Sequence, residues 1–304
     1  MFHPVELLNE CRTRINRPSR GPLDRAHFGS LWCVGGGNRF EWNDTHGEAE
    51  TELMVVLTTY DRADGAARVL SRLADALGTR AVGARVLVLH DASAADYGSA
   101  RAAFEPFRAR GLWLDASSRL GKKGFWQVHQ TALIVAQRWR PQHVLYLQDD
   151  VDFAPELLDR ALALWRATAH DPLRRVLYLY SSRDDEANGR WVRFKRRIAE
   201  ADGCRVTNWF DLQAFLVDRA FLELIDYRII PVHPNRWRRK PEMSSGVGRQ
   251  LTLRLSGRAH VYQAWPPLVH HGSQPSLMNP EARQQRSLDN QAEWSLADNP
   301  GVTD

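Results

Sequence analysis

A short apolar run passes directly into a cluster of acids in Leu145-Tyr146-Leu147-Gln148-Asp149-Asp150-Val151-Asp152. The apolar part, which begins near His143, is typical of a buried strand. Ligands of open α/β sheets bind beyond the carboxyl ends of the strands, and these acids fall at such an end. Carboxylates there suit a hard divalent cation that bridges to phosphate oxygens. We predict that Asp150 binds Mg²⁺ or Mn²⁺; the alternative is a solvated turn in which Asp152 caps the next helix.

Strand and helix patterns alternate along the chain on both sides of this run. Short links between them are typical of a parallel α/β sheet, and continuous apolar strands indicate a sheet covered on both faces. The prediction is an α/β fold with a Rossmann-like, mostly parallel central sheet and helices on both faces. The strand patterns lie at 54–59, 85–90, 111–114, 143–148, 176–180 and 259–263, and the helical patterns at 64–77, 94–108, 124–138, 155–168, 218–227 and 247–255.

The alternation begins at Leu53 and weakens after Ser181, which divides the chain into four segments. Residues 1–52 hold several prolines and glycines and are predicted to wrap over the main domain. Residues 53–180 and 181–280 are predicted to be two halves of one domain, and residues 281–304 a polar tail.

The composition is that of an ordinary soluble globular protein. Of the 304 residues, 43% are hydrophobic and 25% are charged, which excludes a disordered or collagen-like chain. No apolar run approaches the roughly 18 residues of a membrane helix, and the first residues lack the apolar core of a signal peptide. Cys11, Cys33 and Cys204 lie far apart without a Cys-x-x-Cys pair, which disfavours a zinc site or a disulfide framework. We therefore expect a cytoplasmic protein with free thiols.

The charge is basic and carried almost entirely by arginine. The net charge is +5 and the isoelectric point is about 9.3. Arginine makes planar two-point contacts with phosphate, although the codon usage of a GC-rich genome would also raise its frequency. Only four of the 41 basic residues are lysines: Lys122, Lys123, Lys195 and Lys240.

The acidic motif resembles that of the nucleotide-sugar glycosyltransferases of the GT-A fold. Their metal motif is Asp-x-Asp or a variant, and this chain has Gln148-Asp149-Asp150, with an amide in place of the first acid. The resemblance extends from about Leu53 to Gly272. It implies that Asp150 touches the metal, that Asp149 faces ribose or sugar, and that the donor is a nucleotide sugar, most simply a UDP-sugar. It also makes residues 53–180 the donor half and residues 181–280 the acceptor half.

Two further segments resemble the parts of this family that hold the nucleotide. Thr58-Thr59-Tyr60-Asp61-Arg62 resembles the first strand and its following turn, which implies that Thr58, Tyr60 and Arg62 contact the nucleotide. His90-Asp91-Ala92-Ser93 resembles the end of the second strand, which implies that Asp91 accepts a hydrogen bond from a uracil-type base. The alternative for Asp91 is a helix cap.

A glycine-bounded turn with two lysines, Gly121-Lys122-Lys123-Gly124, precedes the third helical pattern. Such a turn at a helix N-terminus is a good anion site, and in the family this region passes under the diphosphate. Lys122 and Lys123 are therefore candidate donor contacts, with exposed loop lysines as the alternative. The spacing is not that of a P-loop.

A histidine pair follows the last strand pattern, in Leu268-Val269-His270-His271-Gly272. In many GT-A enzymes a histidine there completes the metal site, and imidazole is a suitable ligand for Mn²⁺. The Val-x-His spacing selects His271, and His270 remains the rival.

The catalytic base is the least defined part of the predicted site. An inverting enzyme needs a carboxylate that takes the acceptor proton, and the family often has one at the start of the helix before the last strand. This helix begins with Ser244-Ser245-Gly246 instead. The candidates are Asp211 and Glu242, and a retaining mechanism follows if neither serves.

Two basic clusters with interleaved tryptophans lie in the acceptor half, at 190–197 and 236–240. This pattern suits a polyanion, through phosphate contacts and base stacking. The predicted acceptor is hydroxymethylated DNA of the phage type, and a cell-envelope glycan or a lipid-linked acceptor is the alternative. The two clusters could also be solvated faces that bind nothing. The acceptor-binding candidates are Arg193, Arg196, Arg197, Trp237, Arg238 and Arg239.

These observations together predict a metal-dependent glycosyltransferase. Two rivals stay open: a nucleic-acid-binding protein that kept the fold without catalysis, and a nucleotidyltransferase. The second rival usually has a glycine-rich basic loop after its first strand, which residues 58–64 lack. Hydrolase, metalloprotease and dinucleotide-binding motifs are absent from the sequence, and the oligomeric state is left open.

Overall fold

The computed structural model describes residues 40, 51–78, 83–180, 203–207, 210, 212–232, 235 and 245–271. All of them belong to one compact unit, Phe40–Asp304. None of the described helices is long and apolar enough to cross a membrane. Cys204 is buried and free of any disulfide.

The centre of the fold is a sheet of eight strands in the order β3-β2-β1-β4-β8-β6-β9-β7. Six of the eight run in one direction, and β8 and β7 run against them. A separate antiparallel ribbon pairs β5 with β10. The strands are β1 Leu53–Thr59, β2 Ala84–His90, β3 Leu112–Asp115, β4 His143–Gln148, β5 Val151–Phe153, β6 Arg174–Tyr178, β7 Cys204–Thr207, β8 Ala214–Asp218, β9 His260–Ala264 and β10 Val269–His271. The predicted α/β fold with a mostly parallel sheet is confirmed.

Six α-helices are described around this sheet. They are α1 Ala63–Leu77, α2 Gly98–Phe104, α3 Gly121–Trp139, α4 Leu157–Ala167, α5 Arg219–Leu224 and α6 Val247–Leu255. In α1, Ala66, Val69, Leu70, Leu73 and Leu77 are buried, and their spacing of three and four residues places them on one helical face. The bounds of α6 are those predicted, and α3 begins three residues earlier than its pattern.

The central strands are buried along most of their length, as expected for a sheet with covered faces. Every residue of β1 is buried. Tyr146 of β4 stacks on His129 of α3 and on Phe215 of β8. Its hydroxyl lies 3.2 Å from His129 Nε2, and burial lowers the pKa of His129 to about 3. His129 is thus a neutral, packed polar residue of the core.

One local expectation was wrong, and one alternative is not observed. The helix predicted at 94–108 shortens to α2 and a turn of 3₁₀-helix at Glu105–Phe107, because Pro106 cannot donate the backbone hydrogen bond that a continuing α-helix needs. Asp152 does not cap a helix: it lies in β5 and pairs with Arg72 of α1.

The parallel strands place three loops at one edge of the sheet. Thr59 at the end of β1 is in register with His90 at the end of β2, and Thr58 is in register with Gln148 at the end of β4. The segments that follow these strands, near residues 60, 91 and 149, therefore meet.

Candidate active site

Asp149 ties the end of β4 to the end of β1. Its Oδ2 accepts hydrogen bonds from the Thr59 hydroxyl, at 2.8 Å, and from the Tyr60 N–H, at 2.7 Å. Burial, followed by the neighbouring Asp150 charge, raises the pKa of Asp149. One oxygen of this carboxylate is thus committed to holding the turn after β1 in place.

The first turn of α1 approaches this motif so closely that only glycine fits. A Cβ on Gly65 would clash with the Asp149 carbonyl oxygen, a backbone atom that the β1–β4 register holds. This contact brings the N-terminal end of α1, with Arg62 just before it, against the acidic motif.

Asp150 lies between a histidine and an arginine. Its Oδ2 is 3.2 Å from His271 Nε2 and 3.9 Å from Arg62 Nη1. The other oxygen, Oδ1, is buried without a hydrogen-bond partner, and so are both ring nitrogens of His271. Buried polar atoms without hydrogen-bond partners are costly and uncommon, which makes this cluster a candidate binding site.

The two-stranded ribbon is what brings His271 to Asp150. In the β5–β10 pairing, His271 is opposite Val151, the residue after Asp150, whereas His270 is opposite Asp152. Both histidines are buried. The register therefore separates the two candidates: His271 faces the Asp150 carboxylate at 3.2 Å.

The donor atoms of this cluster fit a divalent cation. A carboxylate oxygen and an imidazole nitrogen are suitable ligands for Mn²⁺, and both are buried here without hydrogen bonds. Among the described residues, no group of three or more His, Cys, Asp or Glu side chains could hold a metal. Asp150 and His271 are the two described residues that would hold such a cation.

Asp91 provides a second unpaired acceptor at the same edge. Its Oδ2 accepts from the Gly121 N–H at 3.3 Å, and its Oδ1 is buried without a hydrogen-bond partner. Burial is the main cause that raises the pKa of this carboxyl. The contact with the Gly121 N–H at the start of α3 agrees with the helix-cap alternative, and a contact between Asp91 and a nucleotide base stays a prediction.

Arg119 covers the turn after β1. It donates to the Tyr60 hydroxyl at 2.8 Å and pairs with Asp61. Its guanidinium lies 5.1 Å from the centre of the Tyr60 ring. Arg119 could not be identified from the sequence, because its partners lie 58 and 59 positions away and no local pattern marks the contact.

A buried tyrosine hydroxyl joins the loops after β1 and β2. Tyr97 OH lies 2.8 Å from Thr59 Oγ1 and accepts from the Arg62 N–H at 3.1 Å. Ser93 Oγ, 3.4 Å from the same hydroxyl, accepts from the Asp61 N–H at 3.0 Å. His90 extends the network from Ser93 to Asp115, at 3.1 and 2.8 Å. The role of the Tyr97 hydroxyl could not be predicted from the sequence either, since Tyr97 lies in a loop without a motif.

The other predicted donor contacts, Thr58, Lys122 and Lys123, lie in different parts of the fold. The Thr58 hydroxyl is buried and accepts from Tyr146 OH at 3.3 Å, on the core side of β1. Lys122 and Lys123 lie in the first turn of α3 rather than in a loop before it. Their role as nucleotide contacts stays a prediction.

The base and acceptor candidates lie outside the described residues. The base candidates are Asp211 and Glu242; the acceptor candidates are Arg193, Arg196, Arg197, Trp237, Arg238 and Arg239. The domain boundaries at 52/53, 180/181 and 280/281 also remain predictions.

The fold and site together define an α/β protein with a carboxylate–imidazole pair at the carboxyl edge of its sheet. Neither models of known families nor curated protein sequences match the chain.

Solved structures do match. The chain is similar to the mannosyltransferase PcManGT from Pyrobaculum calidifontis in complex with GDP-Man and Mn²⁺, at 21% identity and a TM-score of 0.43, over 65% of this chain and 55% of that one. It is also similar to S. aureus TarS 1–349, at 18% identity and a TM-score of 0.47, over 70% of this chain and 60% of that one. TarS 1–349 in complex with UDP gives 17% identity with the same TM-score and coverage. The chain spans a little over half the length of these structures.

Proposed function

We propose that this chain is a glycosyltransferase that transfers a sugar from a nucleotide-sugar donor with the help of a divalent cation. The observation that carries the proposal is the set of buried, unpaired atoms on Asp150, His271 and Asp91 at one edge of the sheet. An acid–imidazole pair would suit a cation, and an unpaired carboxylate oxygen would suit the N–H of a base; both lie at the edge of the sheet where β1, β2 and β4 end.

The donor would lie across the loops after β1, β2 and β4. Asp91 Oδ1 would accept from the N–H of a uracil-type base, with Tyr60 beside it. Asp149 would face the ribose or the sugar, and Lys122 and Lys123 would approach the diphosphate from α3. UDP-sugars are the first donors to test, since Asp91 resembles the family's uracil acceptor.

Transfer breaks the bond between the sugar's anomeric carbon and the diphosphate, so negative charge develops on the leaving group. Asp150 and His271 would hold Mn²⁺ or Mg²⁺, which neutralises that charge when bound. Asp211 or Glu242 would take the proton from the acceptor hydroxyl in an inverting reaction. A retaining mechanism follows if substitution of both carboxylates leaves the activity intact.

The acceptor is proposed to be a polyanion, with hydroxymethylated DNA as the first candidate and a glycan or lipid-linked acceptor as the alternative. The support is the pair of basic, tryptophan-containing clusters in the sequence. Replacing Arg196 and Arg197 together, or Arg238 and Arg239 together, with alanine should weaken acceptor binding and leave donor hydrolysis unchanged. On DNA, each double variant should reduce the salt dependence of binding by about one to two phosphate contacts. An unchanged salt dependence in both would favour a neutral or lipid-linked acceptor.

The test of the proposed function is hydrolysis of nucleotide sugars, screened over UDP- and GDP-sugars with Mn²⁺, with and without hydroxymethylated DNA. We expect turnover of at least one donor that EDTA abolishes. The matched control is Asp152→Ala, which removes a neighbouring acid that pairs with Arg72 instead of with the proposed site. Full activity in EDTA would contradict the metal assignment, and no turnover of any donor would contradict the proposed function. Cytoplasmic location stays a prediction.

A further inference from the structure

Arg62 places a fixed positive charge beside the Asp150 carboxylate. Its Nη1 lies 3.9 Å from Asp150 Oδ2, and the two side chains are only 10% and 13% exposed. Charges that are partly buried are screened much less by salt than charges on the surface. This arginine thus neutralises the carboxylate that would bind the cation.

The backbone of Arg62 is held from both sides. Its N–H donates to Tyr97 OH at 3.1 Å, and its carbonyl oxygen accepts from the Ala66 N–H at 2.9 Å in the first turn of α1. The Arg62 side chain can change rotamer, but its backbone is held in place near Asp150.

A cation and this guanidinium would compete for one carboxylate. A divalent ion on Asp150 and His271 would lie close to the Arg62 guanidinium, because Arg62 Nη1 is 3.9 Å from Asp150 Oδ2. Two positive groups held close together repel each other, and the repulsion is stronger in partly buried surroundings than in bulk water. Added negative charge would offset this repulsion, and a diphosphate would supply it.

We propose that Arg62 couples cation binding to donor binding. Without the donor, Arg62 neutralises Asp150 and keeps the affinity for a cation low. With the donor, its planar fork donates to the diphosphate, so the cation and the nucleotide bind together. The inference rests on the proposed function, because the diphosphate belongs to the proposed donor.

The test uses the full chain and two separate titrations, one with Mn²⁺ alone and one with UDP at saturating Mn²⁺. Electron paramagnetic resonance of free Mn²⁺ reports the first, and calorimetry reports the second. In Arg62→Gln, Mn²⁺ alone should bind about tenfold more tightly or better, because a positive charge near the ion has been removed. UDP should bind about tenfold more weakly, because charge-assisted hydrogen bonds to the diphosphate are lost.

Two variants serve as comparisons. Arg62→Lys keeps the charge without the planar fork, so Mn²⁺ alone should bind within about threefold of wild type while UDP still weakens. Arg108→Gln removes a charge of the same kind that pairs with Glu105 and is 78% exposed. Because an exposed charge is screened, both affinities of Arg108→Gln should stay within about threefold of wild type.

The opposite signs of the two changes in Arg62→Gln identify the coupling. Weakening of both affinities, as a structural role would produce, overturns the inference, and so do two unchanged affinities. If wild type binds UDP without any dependence on Mn²⁺ and does not bind Mn²⁺ at all, the metal part of the proposed function is overturned together with the inference. Normal binding of both by wild type with no effect of Arg62→Gln overturns the inference alone.

Discussion

Tyr97→Phe should loosen the candidate donor site while leaving the core packed. The Thr59 hydroxyl has one hydrogen and donates it to Asp149, so in the 2.8 Å contact between the two hydroxyls Tyr97 is the donor. The same oxygen accepts from the Arg62 N–H. The Tyr97 ring also packs against His90, with centroids 4.1 Å apart, and phenylalanine would keep that contact.

The cost of this change can be worked out contact by contact. Thr59 keeps its bond to Asp149, and Ser93 keeps its bonds to His90 and to the Asp61 N–H. Only the partly buried Arg62 N–H loses its partner outright. A polar group left in this way costs about 1–3 kcal/mol, so the free energy of unfolding should fall by about 1–2 kcal/mol.

Urea unfolding measures the stability change, and calorimetry with UDP and Mn²⁺ measures donor binding. We expect UDP affinity to fall about three- to tenfold, because the turn that carries Arg62 is no longer held. Trp113→Phe is the control, since it alters the same aromatic cluster without touching the hydroxyl. A Tyr97→Phe protein with wild-type stability and wild-type UDP affinity would refute the role assigned to this hydroxyl.

Asp150→Ala should lower donor turnover by about a thousandfold or more, because several kcal/mol of leaving-group stabilisation depend on the cation. The unfolding midpoint should stay unchanged, and wild-type turnover would contradict the assignment. In Mn²⁺ titrations His271→Ala should lose more affinity than His270→Ala, since only the first faces Asp150 at 3.2 Å, and the reverse order would favour the rival histidine. Burial raises the pKa of Asp171, but hydrogen bonds, the strongest from His260, outweigh it and leave the pKa below 3.8. A carboxyl whose pKa is lowered in the folded state stabilises the fold at pH values above its ordinary pKa, and this stabilisation is lost as the pH falls through the folded-state pKa. The urea midpoint should therefore drop more steeply between pH 5 and pH 3 in wild type than in Asp171→Asn.

Long apolar patterns determined the main body of the fold. β1, β4 and α1 appear close to their predicted positions, and α6 has the predicted bounds. Their signals are local, because a strand buried on both faces or a helix with one apolar face shows its periodicity in its own residues. The acidic motif at the end of β4 was predictable for the same reason, as it follows directly from where the strand ends.

The two short strands β5 and β10 could not be predicted from sequence periodicity. β5 and β10 have three residues each, which is too few for a period to show, and each exists because the other pairs with it. Their register nevertheless decides which histidine meets Asp150. The choice between His270 and His271 thus depends on a contact between distant segments, although the spacing after the last strand pointed to the same residue.

The chain by itself determined an α/β sheet, its order of elements in the first half and a carboxylate cluster at a strand end, since these depend on neighbours in sequence. Only the tertiary structure decided the partners of those groups: Arg62 and His271 beside Asp150, Tyr97 between two loops, and Arg119 over Tyr60. Each of these contacts joins segments that are far apart in the chain, and their geometry is set by strand register and close packing at one edge of the sheet, which no local pattern encodes.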